Sequence, residues 1–213
     1  APEEEGSSEL IKYLKENGIV ASVGHTNSKS ADIEKAIEMG LSNVTHTFNA
    51  QKPLHHREIG TVGSALLYDE LNCELICDTI HVSVPAIKLV VKSKPHDKVT
   101  LITDAMRAKH MPDGDYELGG QPVIVKNGEA RLHNGTLAGS VLRMNHAVRN
   151  VHNLAGVELG HVIEMASLNP AKNLGVDKER GSIKVGKYAD LVVLDEHFEV
   201  VMTISEGNVI FQK

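Results

Sequence analysis

The chain has 213 residues, 41% of them hydrophobic and 23% charged, with a net charge of −6 at neutral pH. That balance fits a soluble globular protein with a sizeable core, since no apolar run reaches the about eighteen residues of a bilayer span and the opening residues do not read as a signal peptide. The acidic balance, the lack of Lys/Arg clusters and a supply of three Phe, four Tyr and no Trp speak against nucleic acid as a partner.

In chain order, the spacing of Leu10, Ile11 and Leu14 predicts a helix over 7–17, stopped by Gly18. The apolar run 19–23 predicts a strand. A second helix over 31–39 follows, with Ser30 as N-cap, Ile33, Ala36 and Ile37 as its apolar face, and Gly40 as its stop. A strand over 41–44 precedes a loop over 51–60 rich in Pro and His. Next come a strand over 73–77, a helix over 85–92 and a strand over 99–102. The rhythm then changes. Residues 123–125 and 129–132 flank Asn127-Gly128 and read as a hairpin. Helices follow over 141–154 and 159–167, with a shorter one over 169–174. The chain returns to strands over 189–194, 200–204 and 209–211. Cys73 and Cys77 fall on one predicted strand, about 13 Å apart at 3.3 Å per residue, too far to bridge. Two reduced thiols fit a cytoplasmic protein.

Three segments carry chemistry: Gly24-His25-Thr26-Asn27, Thr45-His46-Thr47-Phe48-Asn49-Ala50 and Leu101-Ile102-Thr103-Asp104-Ala105. Each places an ionisable side chain at the end of a predicted strand. Helices separate the strands, so the strands are expected to be parallel, with their C-terminal ends on one face. Adjacent parallel strands lie about 5 Å apart, so two histidines at their ends can reach one point. With a carboxylate from the same face they form a metal site able to activate water. A single histidine at a strand end is more often structural than a ligand; His25 and His46 on successive strands, with Asp104 on a third, reverse that balance.

Functional residues at strand ends are the logic of a (β/α)8 barrel, which needs roughly 250 residues. About four strand–helix units precede the change of rhythm. The expected architecture is therefore α/β: the C-terminal part of a (β/α)8 metal-dependent hydrolase barrel, with a small β-layer formed by the C-terminal strands. The division expected is a partial catalytic barrel over 1–178 and the C-terminal strands of a small β-sandwich over 179–213, the whole being a portion of a larger enzyme.

Further motifs extend the pattern: Ala1-Pro2-Glu3, His55-His56-Arg57-Glu58, Asp78 with His81-Val82, and Asn134-Gly135-Thr136-Leu137-Ala138-Gly139-Ser140. Ser167-Leu168-Asn169-Pro170-Ala171 and Gly186-Lys187-Tyr188-Ala189-Asp190-Leu191 complete it. Together these resemble the amidohydrolase superfamily and, within it, the N-acetylglucosamine-6-phosphate deacetylase family, nearly end to end. The last two motifs recur across amidohydrolases; the His-Asn-Ala loop with its following Arg is more specific to the deacetylases.

The resemblance implies roles residue by residue. Glu3, His25 and His46 match ligands of a catalytic divalent metal, zinc or iron. Asp104 matches the general acid/base. Asn49 and Ala50 match the pair contacting the sugar phosphate, and Arg57 its charged partner. His81 matches a substrate-contacting histidine, and Leu137, Ala138 and Gly139 match a loop lining the substrate pocket. The implied reaction hydrolyses the acetamide of N-acetylglucosamine 6-phosphate in a cytoplasmic homodimer, with a small-molecule sugar phosphate as substrate and neither nucleic acid nor membrane as partner.

The chain departs from the family pattern at Gln51-Lys52, at Cys77 and Thr79, where Ala and Gly are commoner, and at Arg143. The family's first-strand His-x-His segment and its N-terminal sandwich strands have no counterpart here. Without the resemblance, Glu3 is an ordinary acid in the run Glu3-Glu4-Glu5, Arg57 a solvated charge and His81 a buried, hydrogen-bonded histidine. His55, His56, His96, His110 and His161 read as surface residues. Two other functions stay open: another amidohydrolase such as a cyclic amidase, which does not need Arg57, and a non-catalytic sugar-phosphate-binding protein.

Overall fold

A computed structural model describes residues 1–213. Helix α1 (Ser7–Glu16) ends where Gly18, at φ 67°, turns the chain so that Ile19 N–H reaches Leu14 O at 2.9 Å. Strand β1 (Ala21–Val23) is shorter than the apolar run predicts, because Ile19 stays half-exposed outside the sheet. Helix α2 (Ser30–Met39) buries Ile33 and Ala36. Its N-cap is Lys29 rather than Ser30: the Lys29 N–H donates to Asp32 Oδ2 at 2.9 Å, and Ser30 N–H donates to Glu58 Oε1 at 2.9 Å. Strand β2 (Leu41–Val44) follows.

Helix α3 (Gly60–Leu67) was not expected. Its first six residues, Gly60 to Ala65, are all buried, so it has no polar face and shows no amphipathic period. Its two glycines and its Thr and Val also disfavour the helix locally. Tertiary burial overrides both signals. Strand β3 (Asn72–Ile76), helix α4 (Val84–Ser93) and strand β4 (Val99–Ile102) complete the regular part.

The four strands form one parallel sheet in the order β1-β2-β3-β4. The register separates two faces. Val23, Val44, Cys73, Leu75, Val99 and Leu101 share one, buried under the helices in the main hydrophobic core. Ser22, Asn43, Asn72, Glu74 and Thr100 share the other, which is polar. Across it, Asn72 Nδ2 donates to Thr100 Oγ1 at 3.1 Å. Both cysteines are free and buried, Cys73 on β3 and Cys77 just past its end.

Strand β5 (Gly114–Leu118), also unexpected, joins the predicted hairpin β6 (Gln121–Lys126) and β7 (Glu129–Leu132) in an antiparallel sheet. Most of β5 is exposed, which removes the apolar alternation a strand reading needs. Met106, Ala108, Val123, Val125 and Ala130 form a small core beneath this sheet. The predicted helix over 141–154 begins only at Met144. Helix α5 (Met144–Asn150) runs into a π turn over Val151–Ala155. Val141 and Leu142 are not helical because Ser140, just before them, is bonded to Thr103 and Asp104, the residues that follow β4. Helices α6 (Leu159–Ala166) and α7 (Leu168–Asn173) follow. Strands β8 (Leu191–Leu194), β9 (Val200–Ser205) and β10 (Asn208–Gln212) form a separate antiparallel sheet, ordered β10-β9-β8.

The strand-end pattern holds for His25, His46 and Asp104 but not for His81. Strand β3 stops at Ile76, and His81 sits beyond a turn containing Thr79 at φ 71°. A β-branched residue in the left-handed region is strained by about 1–2 kcal/mol. Thr79→Gly is therefore expected to stabilise the protein by about 1 kcal/mol after the extra chain entropy of glycine is subtracted. The check is urea unfolding: the midpoint should rise while the slope stays constant.

Candidate active site

The loops after β1–β4 carry the molecule's densest backbone strain. His25 (φ 45°), His46 (φ 34°), Phe48 (φ 82°), Ala50 (φ 50°), Thr79 (φ 71°) and Asp104 (φ 48°) all lie on this rim in the left-handed region. Strained non-glycine residues cluster where structure holds side chains for function. His25, His46 and Asp104 each take this conformation two residues past a strand end, where the chain turns away from the sheet.

The imidazoles of His25 and His46 meet edge to face, with centroids 4.9 Å apart. His25 is exposed and His46 buried. His46 Nδ1 is fully buried and has no hydrogen-bond partner. An orphaned imidazole nitrogen in a pair of histidines is an atom that a metal ion would satisfy, and paired imidazoles suit zinc and iron. No three His, Cys, Asp or Glu side chains converge tightly enough to hold an ion. The carboxylate of Glu3 is instead turned onto the segment following His25. It accepts from Thr26 Oγ1 and Asn27 N–H, both at 2.6 Å, and from Ser28 Oγ. Burial works to raise the pKa of Glu3, but these bonds prevail and hold it down at about 2. Glu3 is thus ionised and fixed to the segment that follows His25.

The phosphate-pair candidates are built into the same loops. Asn49 N–H and Nδ2 both donate to His46 O, at 2.9 and 3.2 Å. Ala50 O accepts from Thr26 N–H at 3.0 Å, which ties the loop after β2 to the loop after β1. Gln51, one of the departures from the family pattern, supports this turn: Nε2 donates to Thr45 O at 2.8 Å, and Oε1 accepts from Phe48 N–H at 3.1 Å. Arg57 lies further out. It is exposed, its Nη1 lies 2.8 Å from His56 Nε2, and it makes no ion pair. His55 and His56 are exposed, as expected.

The loop over 134–140 closes on Asp104 from the other side. Ser140 N–H donates to Asp104 O at 2.8 Å, and Met106 N–H donates to Ser140 O at 2.9 Å. Ser140 Oγ also bonds Thr103 O. Gly139, at φ 66°, packs so closely that a Cβ would stand 3.4 Å from Asp104 O. Ala138 N–H bonds Ala130 O at 3.0 Å, and Leu137 bridges to Arg131. Gly139 is thus brought to Asp104, with Leu137 and Ala138 leading away along β7. His81 is largely buried, and its Nδ1 lies 2.6 Å from Asp78 Oδ2.

Glu74 carries no role in the sequence reading. It is half-buried on the polar face of β3, and its carboxyl is pushed above the usual range by burial and by the charge of Asp104, against opposing bonds from His46 N–H and Asn43. An acid alternating with Cys73 and Leu75 in an otherwise apolar strand was the available signal. His96 is exposed and His161 partly so, in keeping with their reading as surface residues; their rings stack 4.1 Å apart between the turn before β4 and α6.

The sequence profile of the Amidohydrolase family matches residues 3–210. An N-acetylglucosamine-6-phosphate deacetylase of Bacillus subtilis is 46% identical over 211 residues, covering 99% of this chain and 53% of that protein. An N-acetylgalactosamine-6-phosphate deacetylase of Escherichia coli O157:H7 is 40% identical, covering 97% of this chain and 55% of that protein. The solved N-acetylglucosamine-6-phosphate deacetylase of Thermotoga maritima superposes with a TM-score of 0.94 at 43% identity, over 100% of this chain and 58% of that one. The chain spans about half the length of the curated relatives it matches. The parallel sheet and its helices therefore correspond to part of a (β/α)8 barrel, with antiparallel sheets added. Amidohydrolases generally depend on a divalent metal. By its profile match and its fold, the chain belongs to the amidohydrolase family.

Proposed function

We propose that this chain carries the catalytic rim of a deacetylase that hydrolyses the acetamide of N-acetylglucosamine 6-phosphate to glucosamine 6-phosphate and acetate. The observation that carries the reading is the His25–His46 pair, 4.9 Å apart, on the same rim as Asp104. Identity of 46% to the Bacillus subtilis N-acetylglucosamine-6-phosphate deacetylase supports this substrate over a cyclic amide. Residues 1–178 form the catalytic portion and residues 179–213 belong to a small β domain, a division supported by the separate β8–β10 sheet. We assign the enzyme to the cytoplasm, in keeping with its reduced thiols, and to the homodimeric state.

His25 and His46 would hold a zinc or iron ion, with Glu3 as the oxygen donor beside them. When bound, such an ion supplies Lewis acidity, lowering the pKa of water and polarising a carbonyl. Asp104 accepts the proton of the attacking water and returns it to the departing amine nitrogen, which leaves only once protonated. Asn49 and the Ala50 backbone orient the sugar through its phosphate, and Arg57 adds the charge-assisted contact. His81 and the segment Leu137, Ala138 and Gly139 close around the sugar.

The test separates phosphate reading from chemistry. Arg57→Ala removes a charged contact worth about 1.5–3 kcal/mol, so KM for N-acetylglucosamine 6-phosphate should rise about 10- to 100-fold with a smaller change in kcat. Unphosphorylated N-acetylglucosamine should be a poor substrate and indifferent to the change. Equal losses on both sugars would remove Arg57 from the phosphate site. Turnover of a cyclic amide in place of either sugar would overturn the deacetylase reading itself.

A further inference from the structure

The turn after β3 contains a buried carboxylate that the proposed chemistry leaves unused. Asp78 Oδ1 accepts from the backbone N–H groups of Ile80 and His81, both at 2.8 Å, while Oδ2 lies 2.6 Å from His81 Nδ1. The two side chains are only 9% and 7% exposed. One carboxylate thus caps the turn and grips the ring at its end. The chain on either side is held as well. Asn150 Nδ2 donates to Cys77 O at 2.9 Å, and Thr79 stays at φ 71° where any looser turn would relax it. Burial works to raise the pKa of Asp78, but the bonds from His81 and Ile80 outweigh it and hold the group below the usual carboxylate range.

An ionised carboxylate can only accept hydrogen bonds, so the proton in the 2.6 Å contact belongs to Nδ1. A neutral imidazole protonated there has its lone pair on Nε2, the nitrogen that Asp78 leaves free. We propose that Asp78 is a positioning residue: it fixes His81 in the Nδ1–H tautomer and orientation so that Nε2 accepts a hydrogen bond from a hydroxyl of the bound sugar. The proposal rests on the deacetylase reading for the identity of the sugar; the Asp78–His81 geometry stands without it.

Asp78→Asn tests the assignment with little change of shape. The amide oxygen can still accept from Ile80 and His81 N–H, but the amide NH2 then faces Nδ1 and favours a proton on Nε2 instead. In zinc-loaded protein, ¹⁵N NMR should find His81 as the Nδ1–H tautomer in wild type and as the Nε2–H tautomer in Asp78→Asn. The value of kcat/KM for N-acetylglucosamine 6-phosphate should fall by about 10- to 100-fold, the range for removing a carboxylate that orients a functional imidazole. In a His81→Ala background, Asp78→Asn should cost nothing further. A wild-type His81 carrying its proton on Nε2, or the same loss with and without the imidazole, would overturn the proposal. Because the tautomer is read without substrate, a wild-type protein inactive on the sugar would count against the deacetylase reading alone.

Discussion

His25→Ala and His46→Ala should each remove most of the bound metal and nearly all hydrolytic activity. The argument starts from donor number. Catalytic sites of this kind hold their ion through about three protein ligands and keep a further position open, so losing one ligand leaves too few. In this chain the imidazoles are neighbours, 4.9 Å between centroids, and the buried Nδ1 of His46 has no protein partner to fall back on. The two variants should differ in stability. His46 is buried, and its removal leaves a cavity beneath the loop carrying Asn49 and Ala50. His25 is exposed, and its loss should leave folding nearly unchanged. Both substitutions also place Ala at a positive φ, 45° and 34°, a modest added strain common to the pair. Metal content measured on purified protein, alongside thermal unfolding, separates the effects. Wild-type metal content in both variants would remove the histidines from the ligand set.

The residues that declared themselves in the sequence are those whose role is local. Strands β1 to β4 were visible as short apolar runs, and His25, His46 and Asp104 as the polar residues ending three of them. Register then did the rest, because parallel pairing with period-two alternation puts those ends on one rim. Contacts between distant segments left no such trace. Nothing near Glu3 announces that its carboxylate is bonded by Thr26, Asn27 and Ser28. Nor does the stretch over 134–140 announce that Ser140 pairs with the segment just after β4 and so delays the start of α5. Helix α3 was hidden for the opposite reason, since burial of all of its first six residues erases the periodicity by which a helix is recognised. Asp78 shows a mixed case. Its spacing from His81 was visible, but the bond between them depends on Thr79 taking a backbone conformation that its side chain disfavours.

Asp104→Asn should lower kcat for N-acetylglucosamine 6-phosphate by about 10²-fold or more while substrate still binds, since proton transfer by a positioned side chain contributes on that scale. The structure makes this an unusually clean substitution. Asp104 sits at φ 48°, and asparagine tolerates the left-handed region as well as aspartate does, so no new strain enters. Its carbonyl is fixed by Ser140 N–H at 2.8 Å, and Gly139 packs against the same atom, so the main chain has no freedom to drift. The side chain is exposed at the rim and makes no ion pair, so removing its charge breaks no buried network. Unfolding temperature should therefore stay close to wild type while turnover collapses, with KM little changed. A kcat within tenfold of wild type would mean that Asp104 does not carry the proton. Glu74 would then be the group to substitute next: it lies on the same sheet's polar face, and burial already favours its protonated form. Its conversion to Gln in the Asp104→Asn background would show whether the remaining turnover depends on a second carboxyl.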